Sequence, residues 1–158
     1  MYESLLKDAV VYRKTAGSHK PVEASKELDG KLLALYFSAH WCPPCRNFTP
    51  ILKDFYEEVV GEESDGVPFE ILFVSFDRTD SDLRKYVDDS HGDWLYLQHG
   101  DANIQTLATK FGVSGIPALV VVNEKGEQIQ GINGRGDVQS GQLPPKKVFE
   151  KWQSMAKA

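Results

Sequence analysis

The sequence predicts an α/β protein, a three-layer sandwich whose helices cover both faces of a central mixed sheet. Two almost continuously apolar runs, residues 32–37 and 69–76, predict strands that are buried on both faces. Between them, after residue 43, apolar residues recur at three- and four-residue steps, which predicts a helix. A strand, a helix and a second strand at this spacing form a parallel pair with a right-handed crossover, the unit on which such a sandwich is built.

The helix that follows residue 43 is expected to bury one face and to bend. Pro50 lies in its interior, where proline removes a backbone hydrogen bond and kinks a helix. The residues that the spacing places on the buried face are Phe48, Ile51, Leu52, Phe55, Tyr56 and Val59.

Weaker patterns predict the remaining elements. Before the central unit we expect an arm or short helix at 2–9, a short strand at 9–12, a loop at 15–21, helical character at 22–28 and a turn at 28–31. After it we expect helices at 79–90 and 102–111, an irregular segment at 94–97, a strand at 118–122, an edge strand at 128–132 and a closing helix at 144–158.

Length and composition favour one domain. The chain has 158 residues and a mass of 17.7 kDa, with 41% hydrophobic and 26% charged residues, which is ordinary for a globular protein. We therefore expect a single domain over 1–158, with a core of about 31–135 to which an N-terminal strand or arm and a C-terminal helix are attached. The net charge of −5 and the absence of a basic face make nucleic acid an unexpected partner.

The termini and the cysteine content predict a compartment. The first residues contain no apolar run long enough for a signal peptide, and no stretch approaches the length of a membrane span, so no membrane association is expected. A chain with two cysteines and no leader fits a reducing compartment, the cytoplasm with or without the nucleus, where a Cys-x-x-Cys pair is more often catalytic than structural. We expect a monomer.

The two cysteines lie where the first buried strand gives way to the helix. Free backbone N–H groups and the helix dipole favour an anion at Cys42. Pro43 suits the first turn because its missing N–H has no partner there, and Arg46 adds positive charge nearby. Pro44 removes a second N–H group, which acts against the thiolate, and the sequence leaves the balance between the two effects open.

The spacing of the cysteines assigns them different roles. Residues three apart on a helix have Cβ atoms ~5–6 Å apart, close to disulfide range, and a tight ring of this kind gives a labile, redox-active disulfide. We expect Cys42 to attack a substrate disulfide and Cys45 to resolve the mixed disulfide. No bound cofactor is needed, because the two sulfurs hold both electrons. A structural disulfide or two idle thiols are the less favoured alternatives, and no metal is expected, since His40 does not complete a ligand set.

Several strings resemble the thioredoxin superfamily: an aromatic-Cys-x-x-Cys after a strand, a proline-bearing helix, and Ile-Pro before a hairpin signal. Within it, WCPPCR, NFTPILKDFYEE, FVSFDRTD, HGDWL and FGVSGIPALVVVNEKGE resemble the nucleoredoxin and tryparedoxin group. The resemblance implies a thioredoxin-like fold, a cis bond before Pro117 beside the cysteines, and pairing of the Ile116 backbone with a substrate peptide. It also implies a substrate platform at Trp41, beside Pro43 and Pro44.

Tyr36 departs from the thioredoxin pattern. Thioredoxins carry a buried aspartate at this position, six residues before the first cysteine, which assists proton transfer at the second cysteine. Tyr36 cannot act as a carboxylate base, although tryparedoxin-like members share this feature. Water or another acid, with Asp77 at the end of its strand as the candidate, would take that role.

Three functions are compatible with these residues. The first is a protein-disulfide reductase that acts on disulfide-containing proteins and is restored by an NADPH-linked reductase or a low-molecular-weight dithiol. The alternative is a redox-regulated protein-binding or signalling module of nucleoredoxin type, with the cysteines as its switch. The third function, a thiol peroxidase, is weakly supported, because no further thiol is available to resolve a sulfenic acid. Arg135 is a candidate for the substrate groove, and the tripeptide that it begins with Gly136 and Asp137 matches an adhesion motif by chance.

Overall fold

The computed structural model describes residues 2–15, 17–61 and 67–157, and shows one mixed sheet with helices on both sides. The strands are β1 (Val11–Thr15), β2 (Ser18–Val22), β3 (Leu32–Ser38), β4 (Phe69–Ser75), β5 (Leu95–Leu97) and β6 (Ala118–Val122). The helices are α1 (Ala24–Glu27), α2 (Pro43–Val60), α3 (Asp80–Ser90), α4 (Ala102–Lys110), α5 (Gly134–Ser140) and α6 (Pro145–Lys157).

The sheet has the order β2-β1-β5-β4-β3-β6. Strand β3 pairs in parallel with β4, as the crossover through α2 predicts, and β4 pairs in parallel with β5. The other three contacts, β1 with β2, β1 with β5 and β3 with β6, are antiparallel. The predicted α/β sandwich with a central mixed sheet is confirmed.

Alternate residues of β3 belong to different layers of the core. Ala34 and Tyr36 pack on the side of α2, α3 and α6, while Leu35 and Phe37 pack on the side of α4. All seven residues of β3 and all seven of β4 are buried, which explains why both strands are apolar apart from Ser38, Glu70 and Ser75. The site at the end of β3 therefore stands on a strand that is enclosed on both faces.

Three predicted segments were wrong. The expected loop at 15–21 contains β2, which forms a hairpin with β1 through a turn where Gly17 has a φ of 71°. The expected edge strand at 128–132 is reduced to a single bridge between Gln128 and Val122. The segment at 94–97, expected to be irregular, contains β5, which lies inside the sheet between β1 and β4.

Smaller differences concern the helices and the N-terminal arm. Ile51, expected on the buried face of α2, is 38% exposed, whereas the other five residues of that face are buried. Helix α5 was not predicted at all. Residues 2–9 form turns with no helix, yet Tyr2, Leu5 and Leu6 are buried against the core, so this segment is a packed arm.

The remaining helix and strand predictions agree with the structure to within a few residues. Thr79 caps α3 by accepting a hydrogen bond from the N–H of Asp82, and Val148, Phe149 and Trp152 of α6 face the core as expected. Most of the polar loop expected between α2 and β4 lies outside the described residues. None of the helices within the described ranges is long and apolar enough to span a bilayer.

Candidate active site

Cys42 is the N-cap of α2, and the helix begins at Pro43 as predicted. Its backbone is extended, with φ −94° and ψ 110°, because it still belongs to the turn that leaves β3. The Sγ atom accepts a hydrogen bond from the backbone N–H of Cys45 at 3.3 Å. A cysteine sulfur therefore takes the place that a serine or aspartate oxygen usually takes at a helix start, where negative charge is stabilised.

The two thiols differ in their access to solvent. Cys42 keeps 5% of its surface exposed, which is less exposure than we expected for the cysteine at the open end of the pair. Cys45 has no exposed surface. Burial, followed by the hydrogen bond with Cys42, raises the pKa of the Cys45 thiol to about 11. Hydrogen bonds with Ser38 and the Ala39 backbone act in the opposite direction. Only Cys42 can be reached by a substrate from outside.

The loop before β6 approaches Cys42 from the other side. The peptide bond between Ile116 and Pro117 is cis, which confirms the prediction for this bond. The Sγ atom of Cys42 lies 3.7 Å from the carbonyl oxygen of Ile116. Ile116 is half-buried and Pro117 is buried, and both lie in the loop that ends at Ala118, the first residue of β6.

Trp41 forms a projecting wall beside Cys42. It is 51% exposed, and its Nε1 donates to the carbonyl oxygen of Phe76 at 3.0 Å, which fixes the ring. The guanidinium of Arg78 lies 5.9 Å from the centre of the ring. Pro43 and Pro44 are exposed on the same end of α2. The structure thus brings all the sequence-predicted site residues to one end of the sheet.

A chain of four buried hydroxyl groups lies beneath the cysteines, and sequence reasoning missed three of them. Tyr36 is 2.6 Å from the Thr49 hydroxyl, Thr49 is 2.5 Å from Tyr86, and Tyr86 is 2.6 Å from Ser38. The spacing of Tyr36 and Ser38 on one strand face, and of Thr49 four residues after Cys45, could have indicated this cluster.

Asp77, the candidate for the role of the missing carboxylate, is buried and bound to the loop before Cys42. Its carboxylate accepts from the Ser75 hydroxyl at 2.7 Å and from the backbone N–H of His40 at 2.8 Å. Asp77 therefore anchors the loop between β3 and Cys42.

Three of the four histidines, His40, His99 and His91, are structural neighbours of the site. His40 is half-buried, with its ring 5.6 Å from that of Tyr86, and His99 contacts the Asp77 carbonyl oxygen through Nε2 at 3.1 Å. His91 is fully buried among aromatic rings. Across the described part of the chain, no group of three or more His, Cys, Asp or Glu side chains could hold a metal ion.

Comparison with known proteins identifies the family. A family model described as Thioredoxin-like matches residues 30–128, which include both cysteines and the cis proline. The chain belongs to the thioredoxin-like family. Within it, the relatives confirm the resemblance to the nucleoredoxin and tryparedoxin group of thioredoxin-like oxidoreductases.

Three relatives show how far the similarity extends. Nucleoredoxin of Bos taurus is 40% identical over 106 residues, which cover 66% of this chain and 23% of that protein. Tryparedoxin of Trypanosoma brucei brucei is 38% identical over 109 residues, which cover 68% of this chain and 72% of that protein. The crystal structure of thioredoxin from Wuchereria bancrofti superposes with a TM-score of 0.73 at 46% identity, covering 92% of this chain and 96% of that one. The chain thus spans about a quarter of the length of the nucleoredoxin.

Proposed function

We propose that the protein is a thiol-disulfide oxidoreductase that reduces protein disulfides, with Cys42 as nucleophile and Cys45 as resolving thiol. The observation that supports this assignment most directly is the asymmetry of the pair. Cys42 reaches the surface and accepts the Cys45 N–H at the start of α2, while Cys45 is fully buried with a raised pKa.

The reaction is two successive thiol-disulfide exchanges. The Cys42 thiolate attacks one sulfur of the substrate disulfide, so a Cys42–substrate disulfide forms and the other substrate sulfur leaves as a thiolate. The Cys45 sulfur then attacks Cys42, which forms the Cys42–Cys45 disulfide and releases the second substrate sulfur. In sum the protein dithiol loses two electrons and two protons, and the substrate becomes a dithiol, so no cofactor enters the reaction.

The substrate chain would lie between two walls. Trp41, with Pro43 and Pro44, forms one wall beside Cys42, and Ile116 with Pro117 forms the other. The Ile116 carbonyl oxygen, 3.7 Å from Cys42 Sγ, is the backbone group that would meet a substrate peptide in strand addition. Because Trp41 already projects from the surface, its ring could pack on the substrate without movement.

The electron donor and the cellular setting are proposed from the family and the cysteine content. An NADPH-linked reductase or a low-molecular-weight dithiol would restore the Cys42 and Cys45 thiols. The absence of cysteines beyond this pair fits a reducing compartment such as the cytoplasm or nucleus, and a monomer suffices because one chain supplies both sulfurs.

Turnover of insulin disulfides tests the proposal. The reduced protein is assayed with NADPH and thioredoxin reductase, and in parallel with a glutathione-based reducing system. We expect turnover with at least one donor, no turnover by Cys42→Ser, and a trapped mixed disulfide with Cys45→Ser. Full activity of Cys42→Ser, or a trapped adduct at Cys45 in the wild type, would contradict the assignment.

The second candidate is a redox-regulated binding module that uses the same surface. The half-exposed ring of Trp41 beside the dithiol favours this possibility, because a partner held there would sense the oxidation state of Cys42. The reduced protein and the disulfide form should then differ in affinity for a partner. Equal affinities of the two forms for the partner would contradict the binding-module function and leave only the reductase function.

A further inference from the structure

The turn after β4, residues 75–78, is bound at two adjacent points to the loop that joins β3 to α2. The Asp77 Oδ1 atom accepts a hydrogen bond from the backbone N–H of His40 at 2.8 Å. The carbonyl oxygen of Phe76 accepts a hydrogen bond from Nε1 of Trp41 at 3.0 Å. Two neighbouring residues of the turn thus hold two neighbouring residues of the loop. One hydrogen bond would leave the loop free to pivot, whereas two fix the direction in which the Trp41 ring projects.

The Asp77 carboxylate is itself held in place by its own turn. Its Oδ2 atom accepts from the Ser75 hydroxyl at 2.7 Å, and the Ser75 oxygen accepts from the backbone N–H of Asp77 at 2.9 Å. On the other side, Nε2 of His99 lies 3.1 Å from the carbonyl oxygen of Asp77, and the ring donates there because a carbonyl can only accept. The buried carboxylate therefore presents Oδ1 to the loop in a fixed orientation.

We propose that Asp77 is a positioning residue, which acts through the backbone of His40 to hold Trp41 at the angle at which its ring receives a substrate chain beside Cys42. The inference rests on the proposed reductase function, in which Trp41 forms one wall of the substrate groove. It gives Asp77 a role in substrate binding, in place of the proton-accepting role for which its position at the end of a strand made it a candidate.

A ring that is already fixed lowers the cost of binding a substrate. Trp41 is 51% exposed, and an exposed side chain that becomes ordered only when a substrate arrives loses conformational entropy at that moment. The bonds at Trp41 Nε1 and at the His40 backbone remove this cost in advance. The sulfur of Cys42 is held separately, by the N–H of Cys45. Loss of the Asp77 contact should therefore weaken the binding of a substrate chain more than it slows the attack of Cys42 on a small disulfide.

The contacts of Asp77 with the loop and with Ser75 do not require a negative charge. The side chain in Asp77→Asn can accept from the His40 N–H through Oδ1 and can donate from Nδ2 to the Ser75 oxygen, but it cannot take up a proton from a thiol. Asp77→Asn thus keeps the positioning role and removes a proton-accepting role, whereas Asp77→Ala removes both. Where Asp77→Ala does not fold, Ser75→Ala removes one support of the carboxylate and should give a smaller change in the same direction.

The hold on the ring is measured by hydrogen exchange of the indole N–H groups in the reduced, ¹⁵N-labelled protein. The chain has three tryptophans, and the buried Trp94 and Trp152 donate hydrogen bonds of their own, so they serve as internal references. The Trp41 signal is identified as the one that Trp41→Phe removes. Asp77→Ala should speed exchange at Trp41 about fivefold and leave the other two signals unchanged. Asp77→Asn should leave all three close to wild type.

Substrate binding and thiol attack are separated in single-turnover reactions with an excess of reduced protein, so no electron donor is present. The chain-like probe is insulin with a fluorophore on one chain and a quencher on the other, and the small probe is 2-hydroxyethyl disulfide. With insulin, Asp77→Ala should raise the half-saturating protein concentration about tenfold and change the limiting rate little. With the small disulfide its rate should stay within about twofold of wild type. Asp77→Asn should resemble the wild type with both probes.

A double variant tests whether Asp77 acts through Trp41. Trp41→Ala should raise the half-saturating concentration for insulin at least as much as Asp77→Ala, and combining the two should raise it little further. Additive effects of the two substitutions would overturn the inference. Asp101→Ala is the matched control, because the Asp101 carboxylate likewise accepts a backbone N–H, but from Val10 in the N-terminal segment. It should alter neither exchange at Trp41 nor the binding of insulin.

The outcomes distinguish this inference from the proposed function. If Cys42→Ser still reduces the labelled insulin, the proposed function fails, whatever the indole exchange shows. If Cys42→Ser is inactive and Asp77→Ala leaves both Trp41 exchange and insulin binding at wild-type values, only the inference fails. Equal losses in Asp77→Asn and Asp77→Ala would assign the effect to the charge and would overturn the positioning role. Faster exchange at all three tryptophans would indicate a general loosening of the fold and would also overturn it.

Discussion

The indole Nε1 of Trp94 donates a hydrogen bond to Nδ1 of His91 at 3.1 Å, in a part of the core that solvent does not reach. Since Nδ1 accepts, the neutral ring carries its hydrogen on Nε2, and this buried atom has no hydrogen-bond partner among the described residues. Burial, with a contribution from Lys14, holds the pKa of His91 well below its usual 6.5. The folded protein therefore keeps this histidine neutral.

We expect the stability of the protein to fall in mild acid because of His91. Below pH 6.5 the unfolded chain binds a proton that the folded chain does not, so the contribution of neutral His91 is present above that pH and is lost as pH falls. The loss should be about 1.4 kcal/mol per pH unit below the unfolded pKa. Urea denaturation at several pH values measures it.

His91→Asn is the control for this prediction. The asparagine Oδ1 can accept from Trp94 in place of Nδ1 but does not titrate. The variant should be less stable than the wild type at neutral pH, because it fills less of the aromatic cluster, yet its stability should change less in acid. Parallel pH profiles for the two proteins would show that the acid sensitivity arises elsewhere.

Glu70 is a buried carboxylate whose charge is balanced by Arg13. Its Oε2 atom is 2.7 Å from the Arg13 guanidinium and 3.8 Å from the Lys31 ammonium, and its Oε1 accepts from the Tyr56 hydroxyl at 2.9 Å. Arg13→Met should destabilise the protein by about 3 kcal/mol, because it leaves a buried charge with one distant partner.

A second substitution distinguishes lost charge from lost packing in that variant. Glu70→Gln keeps an oxygen for Tyr56 and for the N–H of Ile71 but removes the charge. The double variant with Arg13→Met should therefore be more stable than Arg13→Met alone in denaturant titrations. If adding Glu70→Gln destabilises it further, the charge of Glu70 is not what Arg13 compensates.

The parts of the fold that the sequence predicts are those with a strong burial pattern. Strands β3 and β4 are almost continuous apolar runs, and α2 has an apolar stripe behind the cysteines, so both the crossover and the site at its start could be predicted. Strand β2 is short, polar and half-exposed and contains Pro21, and α5 contains two glycines and one buried apolar side chain, Val138. Strand β2 depends on its hairpin partner β1, which in turn pairs with β5, and α5 depends on contacts with α2 and β6, so a local sequence pattern reveals neither element.

The residues of the candidate site also fall into two groups, those that the sequence predicts and those that it does not. Cys42, Cys45 and Pro117 are marked by motifs that lie close together in sequence, and the structure brings them together. The hydroxyl chain joins Ser38 and Thr49 to Tyr86, which comes from a different helix. A serine at the end of an apolar strand is ordinary in sequence, and its role becomes visible only through a hydrogen bond to a residue 48 positions away.

Gly134 allows α5 to lie directly against β6. A Cβ atom at this position would be 2.6 Å from the backbone carbonyl oxygen of Leu119, two residues after the cis proline. Backbone atoms of a paired strand cannot move aside easily, so Gly134→Ala should cost about 1–3 kcal/mol in unfolding free energy. Gly115→Ala is the matched control, because a Cβ atom there would meet nothing within 4 Å among the described residues beyond its chain neighbours. Equal stability of both variants in thermal and urea unfolding would contradict the close approach.

Three of the five arginines have no ion pair within the described residues, and each belongs to, or lies over a ring of, the segment 41–48 that carries the dithiol. Arg13 pairs with Glu27 and Glu70, and Arg84 pairs with Asp80. The unpaired ones are Arg46 beside Cys45, Arg78 over the Trp41 ring and Arg135 over the Phe48 ring. In a chain of net charge −5, this rim should attract acidic segments next to a substrate disulfide.

We therefore expect a peptide disulfide flanked by glutamates to be reduced with a higher kcat/KM than the same peptide flanked by lysines. One exposed ion pair contributes about 0.2–1 kcal/mol, which corresponds to a change of up to about fivefold in the ratio of the two kcat/KM values for each contact. Arg78→Glu should therefore reduce or reverse the preference for the glutamate-flanked peptide. Salt should weaken the preference. Lys53→Glu, on the same helix as the cysteines but farther along it, is the control for a general change in net charge. An equal effect of both substitutions would show that overall charge, and not the rim around Cys42, sets the preference.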